Sequence, residues 1–297
     1  MNELQPTQKR SLLATIFLSP QEPRLRAGWR LLIQTVLYLV LAIIFTIVAA
    51  FLGAGIGSLG IVSEILDFLA VLASVYIARR WLDRRSLESL GLKFSAQSII
   101  DIFAGIGISF LQMGFIYAVM LLMGWLTFKG FAWNFDPINV VIAGVLNFFI
   151  IFIIVGFKEE ILSRGYHLQT IASGINLFWG VIISSAIFGL LHLANPNATW
   201  ISAAGIFFAG LYLAYGYIRT KQLWLSIGLH IGWNFFEGVV FGFPVSGLNI
   251  YPLIRIDVQG PEIWTGGAFG PEAGLIVLPS LILGAVLIYL YTIKRTE

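Results

Sequence analysis

The stretch Gly156-Phe157-Lys158-Glu159-Glu160-Ile161-Leu162-Ser163-Arg164-Gly165 sets four charges against the apolar run of about Ile138 to Phe157, which is long enough to cross a bilayer. Read as a helix, Glu160 and Arg164 stand four apart with the acid N-terminal, the favourable order for an intrahelical ion pair. Glu159 then points about 100° away from Glu160, because each helical residue advances the face by that angle. It has no partner on its own helix. An unpaired acid in low dielectric takes up a proton or finds a partner elsewhere in the bundle, and either suits a general base.

Outward from this knot the chain is 58% hydrophobic and only 11% charged, against roughly 25% charged in a soluble domain. The composition predicts an all-α, polytopic membrane protein of about eight transmembrane helices. The expected spans are about Leu31 to Leu52, Ile61 to Ala78, Ile102 to Phe128, Ile138 to Phe157, Leu177 to Leu193, Trp200 to Ile218, Leu223 to Phe243 and Glu272 to Ile293. Gly53 to Gly60 reads as a glycine-rich turn. The helical pattern of the fourth span runs on to about Ala172, before a turn at Ser173-Gly174-Ile175-Asn176. Arg79-Arg80, Arg84-Arg85, Lys93, Arg219, Lys221 and Lys294-Arg295 fall in turns on one side, which predicts both termini in the cytoplasm. Residues 1–29 read as an uncleaved cytoplasmic tail with a short interfacial helix, since Lys9-Arg10 and the apolar stretch after it lack a signal-peptidase site. Residues 30–297 form a single transmembrane domain, and Pro244 to Pro271 is a connection long for a membrane protein. The net charge of +3 fits membrane lipids as partners and gives no support to nucleic acid. With no cysteine, thiolate metal sites and cysteine nucleophiles are excluded.

Two of the three histidines lie inside apolar segments. His192 follows Phe188 at i,i+4 and His230 precedes Asn234 at the same spacing, so each pair shares a helix face. Glu159 lies about 15 residues before the Ser173–Asn176 turn and His192 about 16 after it, which brings them to similar depth in an antiparallel pair. His230 stands about nine residues beyond its own basic turn, reachable from the same half of the membrane. Buried ionisable groups in a bilayer are expensive and mark function by default.

Glu159-Glu160-x-x-x-Arg164, then Phe188-x-x-x-His192, then His230-x-x-x-Asn234 resembles, in order and spacing, the three-motif signature of the CPBP family. These are CAAX prenyl protease and bacteriocin-processing (Abi) intramembrane endopeptidases. Arg24 to Arg30 and Gly266 to Glu272 are similar to flanks of prokaryotic members, and the protease-like core covers about 138–243. The resemblance implies a peptide-bond hydrolase working near the cytoplasmic side of a prokaryotic plasma membrane, on a protein or peptide substrate of a class that includes lipid-modified ones. It implies that Glu159 activates water, that His192 binds or polarises it, that His230 and Asn234 donate to the oxyanion, and that Glu160 with Arg164 braces the first helix. Glu159, His192 and His230 would suit a divalent metal such as zinc, and the same groups can work as a metal-free glutamate protease.

Blander readings stand beside these. The polar cluster could serve assembly in a membrane scaffold or bacteriocin-immunity factor of the same fold, or a proton relay in a transporter. No His-Glu-x-x-His occurs, and Val245-Ser246-Gly247, superficially a serine-nucleophile turn, lies far from the histidines in sequence. His167 reads as surface or interfacial. Glu237, on the face of His230 and Asn234, would tune the site or pair with another helix. Glu64 and Asp67 are expected toward the other side of the membrane as capping or pairing groups, and Trp29, Trp125, Trp200 and Trp224 as members of an aromatic belt.

Overall fold

The computed structural model describes residues 11–20, 22–51 and 60–295. Residues 1–10 of the tail, the end of the first span at Leu52 and the turn over 53–59 lie outside the described residues. Ser11 caps α1, Leu12–Phe17, whose Leu12 and Leu13 are exposed as expected of an interfacial helix. Trp29 pins it by donating from Nε1 to the Ile16 carbonyl at 3.1 Å.

Among the described residues, seven helices are long and apolar enough to span a membrane: α2 Ala27–Phe51, α3 Ile61–Leu82, α4 Ala96–Leu122, α5 Ile138–Gly174, α6 Leu177–Ala194, α7 Trp200–Thr220 and, at the C-terminal end, α9 Val277–Arg295. The remaining expected span, α8, runs Trp224–Asn234 and continues without a break as the π-helical turn Phe235–Val240. It is the centre of the bundle, since every residue from Trp224 to Asn234 is buried. Glycine permits this. A Cβ at Gly228 would lie 2.2 Å from the Ile102 carbonyl oxygen, and one at Gly105 would lie 2.5 Å from the Leu229 nitrogen. Backbone therefore meets backbone where α4 crosses α8, the small-residue packing that membrane helices use in place of a hydrophobic driving force.

Two expectations are corrected on the side away from the basic turns. The third span stops at Leu122 instead of reaching Phe128, because Gly124 takes φ +70° and the chain leaves as a strand, β1 Leu126–Phe131. The long connection is not structureless. It contains β2 Ile254–Val258, paired antiparallel with β1, and the last helix begins at Val277, not Glu272. Tyr251 and Arg255 of this connection both donate to Asp136 beside the start of α5.

At the basic end, Asp83 accepts from Arg30 and Arg24 on one oxygen and from Arg79 on the other, and all four groups are buried. Arg30 also donates to Ser173 at 2.8 Å, so the start of α2, the end of α3 and the end of α5 share one polar knot. Asp83→Ala leaves the buried Arg30 and Arg79 guanidinium groups without their carboxylate and Arg24 with Glu22 alone, and is expected to cost about 3–5 kcal/mol, read as a lowered melting temperature of the solubilised protein. On the opposite side, the hydrogen bond from Tyr251, with Arg255 close by, holds the Asp136 carboxyl below the usual aspartate range. A depressed folded pKa makes its stabilisation complete above the unfolded value of about 4, and lost as pH falls through the folded value. Hydrogen exchange of Ile254–Val258, corrected for intrinsic rates, should speed up over that acid window in the wild type and show no such step in Asp136→Asn.

Candidate active site

Glu160 is fully buried and its Oε1 is the anchor of the site. That oxygen accepts from Arg164 Nη1 at 2.8 Å, the expected i,i+4 pair, and from His230 Nδ1, also at 2.8 Å. Because an ionised carboxylate can only accept, His230 Nδ1 carries the hydrogen. His192 Nδ1 likewise donates, to the Phe188 carbonyl at 2.8 Å. Both rings thus spend Nδ1 on second partners and present Nε2 to one point. Facing that point is Glu159, whose Oε2 lies 3.9 Å from His192 Nε2 and 3.7 Å from His230 Nε2 and takes no hydrogen bond from the described residues.

With both rings neutral, three acceptors converge, separated by more than a hydrogen bond. A water bridges two of the three with its two hydrogens, and a cation can join all three. Nitrogen and carboxylate donors whose imidazoles are oriented through Nδ1 also suit a divalent metal. Among the described residues, no group of three or more His or acidic side chains is already gathered as a metal cage.

Phe188 ties the three motifs together. The Arg164 guanidinium stacks 4.2 Å above its ring, His192 meets the ring edge-on at 4.7 Å and His230 does so at 6.2 Å. Arg164 Nη2 also donates to the Gly210 carbonyl, linking α5 to α7. Asn234, one turn beyond His230, lines the same cavity, and its side chain makes no hydrogen bond with the described residues. The cavity holds about 680 Å³.

All six motif residues are brought together. The helix carrying Glu160 continues to Gly174, about 20 Å farther, and His230 lies six residues beyond the start of α8 at Trp224, about 9 Å. The charged knot thus lies within its helix, not at its end. Two π-helical turns, Ile161–His167 and Phe235–Val240, begin directly behind the motif residues. π-bulges of this kind re-aim side chains and cluster at functional sites; no spacing in the sequence announces them.

Three expectations change here. Glu64 and Asp67 are pairing groups, as expected, but their partner is in the knot: both accept from Lys158 Nζ, at 2.8 and 2.7 Å, and line the cavity together with Tyr38, which donates to Asp67. The signal was Lys158 itself, a third charge in the knot with no partner on its own helix. His167 is buried in the π-helical turn rather than at a surface, because that turn rotates it inward. Ser246, remote from the histidines in sequence, lines the cavity, but its hydroxyl donates to Glu272 at 2.6 Å, which gives a serine nucleophile no histidine base. Glu237 is fully buried and its carboxyl oxygens make no bond with the described residues.

Residues 141–236 match the family model described as "Type II CAAX prenyl endopeptidase Rce1-like". The chain is also similar to the Bacillus subtilis (strain 168) protein named "Putative membrane peptidase YdiL", with 29% identity over 188 residues, covering 61% of this chain and 72% of that protein.

Arg164 fills three roles at once, to Glu160, to Gly210 and over Phe188, which a planar fork can do and an ammonium cannot. Arg164→Lys is expected to keep the charge yet lose about 1–3 kcal/mol of stability, seen as a lowered melting temperature at unchanged membrane insertion.

Proposed function

We propose, from the match of residues 141–236 to the Rce1-like family model and the likeness to a membrane peptidase, that this chain is a CPBP-type intramembrane endopeptidase hydrolysing a peptide bond in a membrane-associated protein or peptide. The observation that carries this reading is the convergence of Glu159 Oε2 with the Nε2 atoms of His192 and His230 at 3.7–3.9 Å. A water held among these acceptors would donate both hydrogens, leaving a lone pair directed into the cavity. Glu159 takes one proton as the oxygen attacks the carbonyl carbon, and returns it to the departing amine when the tetrahedral intermediate collapses. The carbonyl oxygen gains charge at that step. Asn234 Nδ2 donates to it, and so does His230 Nε2 where the ring enters the reaction already carrying a hydrogen on both nitrogens, with Nδ1–H on Glu160; that proton is kept throughout, and the water then donates to Glu159 and His192. Preorganised donors in a site walled by protein count for more than in bulk water.

Where a divalent cation such as zinc is used, Glu159, His192 and His230 would hold it, and it would add Lewis-acid activation of water. The division of labour among Glu160, Arg164 and Asn234 is the same in either case. By the positive-inside pattern, the basic end with Arg30 and Arg79 faces the cytoplasm of a prokaryotic plasma membrane.

Glu159→Gln retains size and hydrogen bonding but cannot accept a proton, so at matched abundance it should abolish cleavage. The measurement is a proteome-wide comparison of protein termini in native-host cells carrying wild type, Glu159→Gln or His192→Ala. New termini confined to the wild type support proteolysis. Identical termini in all three, with a null phenotype rescued by both variants, would favour a scaffold or immunity factor.

A further inference from the structure

The far-side connection does more than join α8 to α9. Its Glu272 is 5% exposed, lines the cavity and is fully engaged. Oε1 accepts from Trp233 Nε1 at 3.1 Å, while Oε2 accepts from the Ser246 backbone N–H at 2.8 Å and from its hydroxyl at 2.6 Å. Trp233 is the residue before Asn234. Ser246 stands in the left-handed region at φ +48°, and its carbonyl accepts from Asn195 Nδ2 at 3.0 Å, three residues past His192. Asn197 Nδ2 donates to the Gly247 carbonyl and Gly247 N–H to the Phe269 carbonyl, and Phe269 packs with Phe188 and Ile206. One carboxylate therefore bridges the turn that carries Asn234 and, through Ser246, the turn that follows His192. The strained Ser246 backbone persists because these bonds over-determine it.

Resting on the proposed hydrolysis, we infer that Glu272 is a positioning residue that sets the Asn234 amide and His192 ring in register by clamping Trp233 and the Ser246 turn. Beyond this bridge, Phe188 packs against both His192 and His230, and the helix Trp200–Thr220 packs against both motif elements. Among the described residues, no hydrogen bond of its own fixes the Asn234 side chain, so its place depends on the backbone turn that Trp233 holds. Loss of the clamp would let the oxyanion donor and the water-binding ring drift apart, which weakens the transition state more than substrate binding.

The test uses the full chain in lipid nanodiscs, an internally quenched peptide library as probe, and steady-state kinetics on the best-cleaved peptide. Glu272→Gln cannot serve all three donors, since its amide nitrogen must face either Trp233 Nε1–H or the Ser246 N–H. Trp233→Phe removes the indole N–H with the pyrrole half of the ring and leaves a phenyl ring in its place, so it reports even where a change at buried Glu272 impairs folding. Each variant is expected to lower kcat about tenfold with KM within about twofold, and the double variant to be no worse than the poorer single one, as for residues acting through one bond. Ser246→Ala, which keeps the backbone bond, should retain most of kcat. Wild-type kcat in Trp233→Phe, additive losses in the double variant, or a rise in KM alone would overturn the inference while leaving the proposed hydrolysis intact. A wild type that cleaves no peptide in the library, with Glu159→Gln indistinguishable from it, would sink both.

Discussion

A single buried oxygen, Glu160 Oε1, holds the architecture of the site: it accepts Arg164 from its own helix and His230 from α8. A carboxylate with no exposed surface needs pairing and hydrogen bonds, and the two donors supply them on Oε1 from different helices, while Oε2 takes no bond from the described residues. The consequence reaches past stability. By taking the hydrogen of His230 Nδ1, Glu160 dictates the tautomer and turns Nε2 toward Glu159. Adjacent carboxylates thus divide the labour: one is consumed by structure, which leaves the other without a donor of its own.

That division works only if α8 sits at the right depth, and close glycine contacts fix it there. Gly105 and Gly228 let α4 and α8 touch backbone to backbone, and such a crossing has little freedom to slide. Gly156 does the same on the α5 side, where a Cβ would meet Ile231 at 2.6 Å. His230 is flanked by both contacts. The polar geometry is therefore set by apolar packing, which is why a chain with so few charges can hold so many of them in one cavity.

How much of this was legible in the sequence follows from what each signal depends on. Helical spacing carried the Glu160–Arg164 pair and the shared faces of Phe188 with His192 and of His230 with Asn234, because those relations are local. The hairpin arithmetic brought Glu159 and His192 level because both count from the same turn. Relations across the bundle were not legible. Nothing near Glu64 or Asp67 points to Lys158, since that pairing is made by the packing of α3 on α5. His167 was misread because its burial is a relation across the bundle, and the π-helical turn that carries it has no local signal in the sequence. The strand pair was hidden by length: β1 and β2 are short, lie in an aromatic and glycine-rich context, and find each other across more than a hundred residues.

The far-side connection shows where the sequence pattern and the chemistry part. A loop rich in glycine and proline reads as a linker because its backbone has no helical partner. Gly247 and Gly270, at φ +85° and +108°, are the places where a side chain would strike the Pro196 and Pro244 carbonyls at 1.8 and 2.2 Å. These glycines are what allow the chain to fold back into the bundle, and their cost in flexibility is offset by the Glu272, Asn195 and Asn197 hydrogen bonds that end the excursion. A segment that enters a membrane protein without helix must satisfy its polar groups on protein or water. Here it does so on the residues beside His192 and Asn234, so the same bonds that make the loop tolerable at that depth also complete the wall of the cavity.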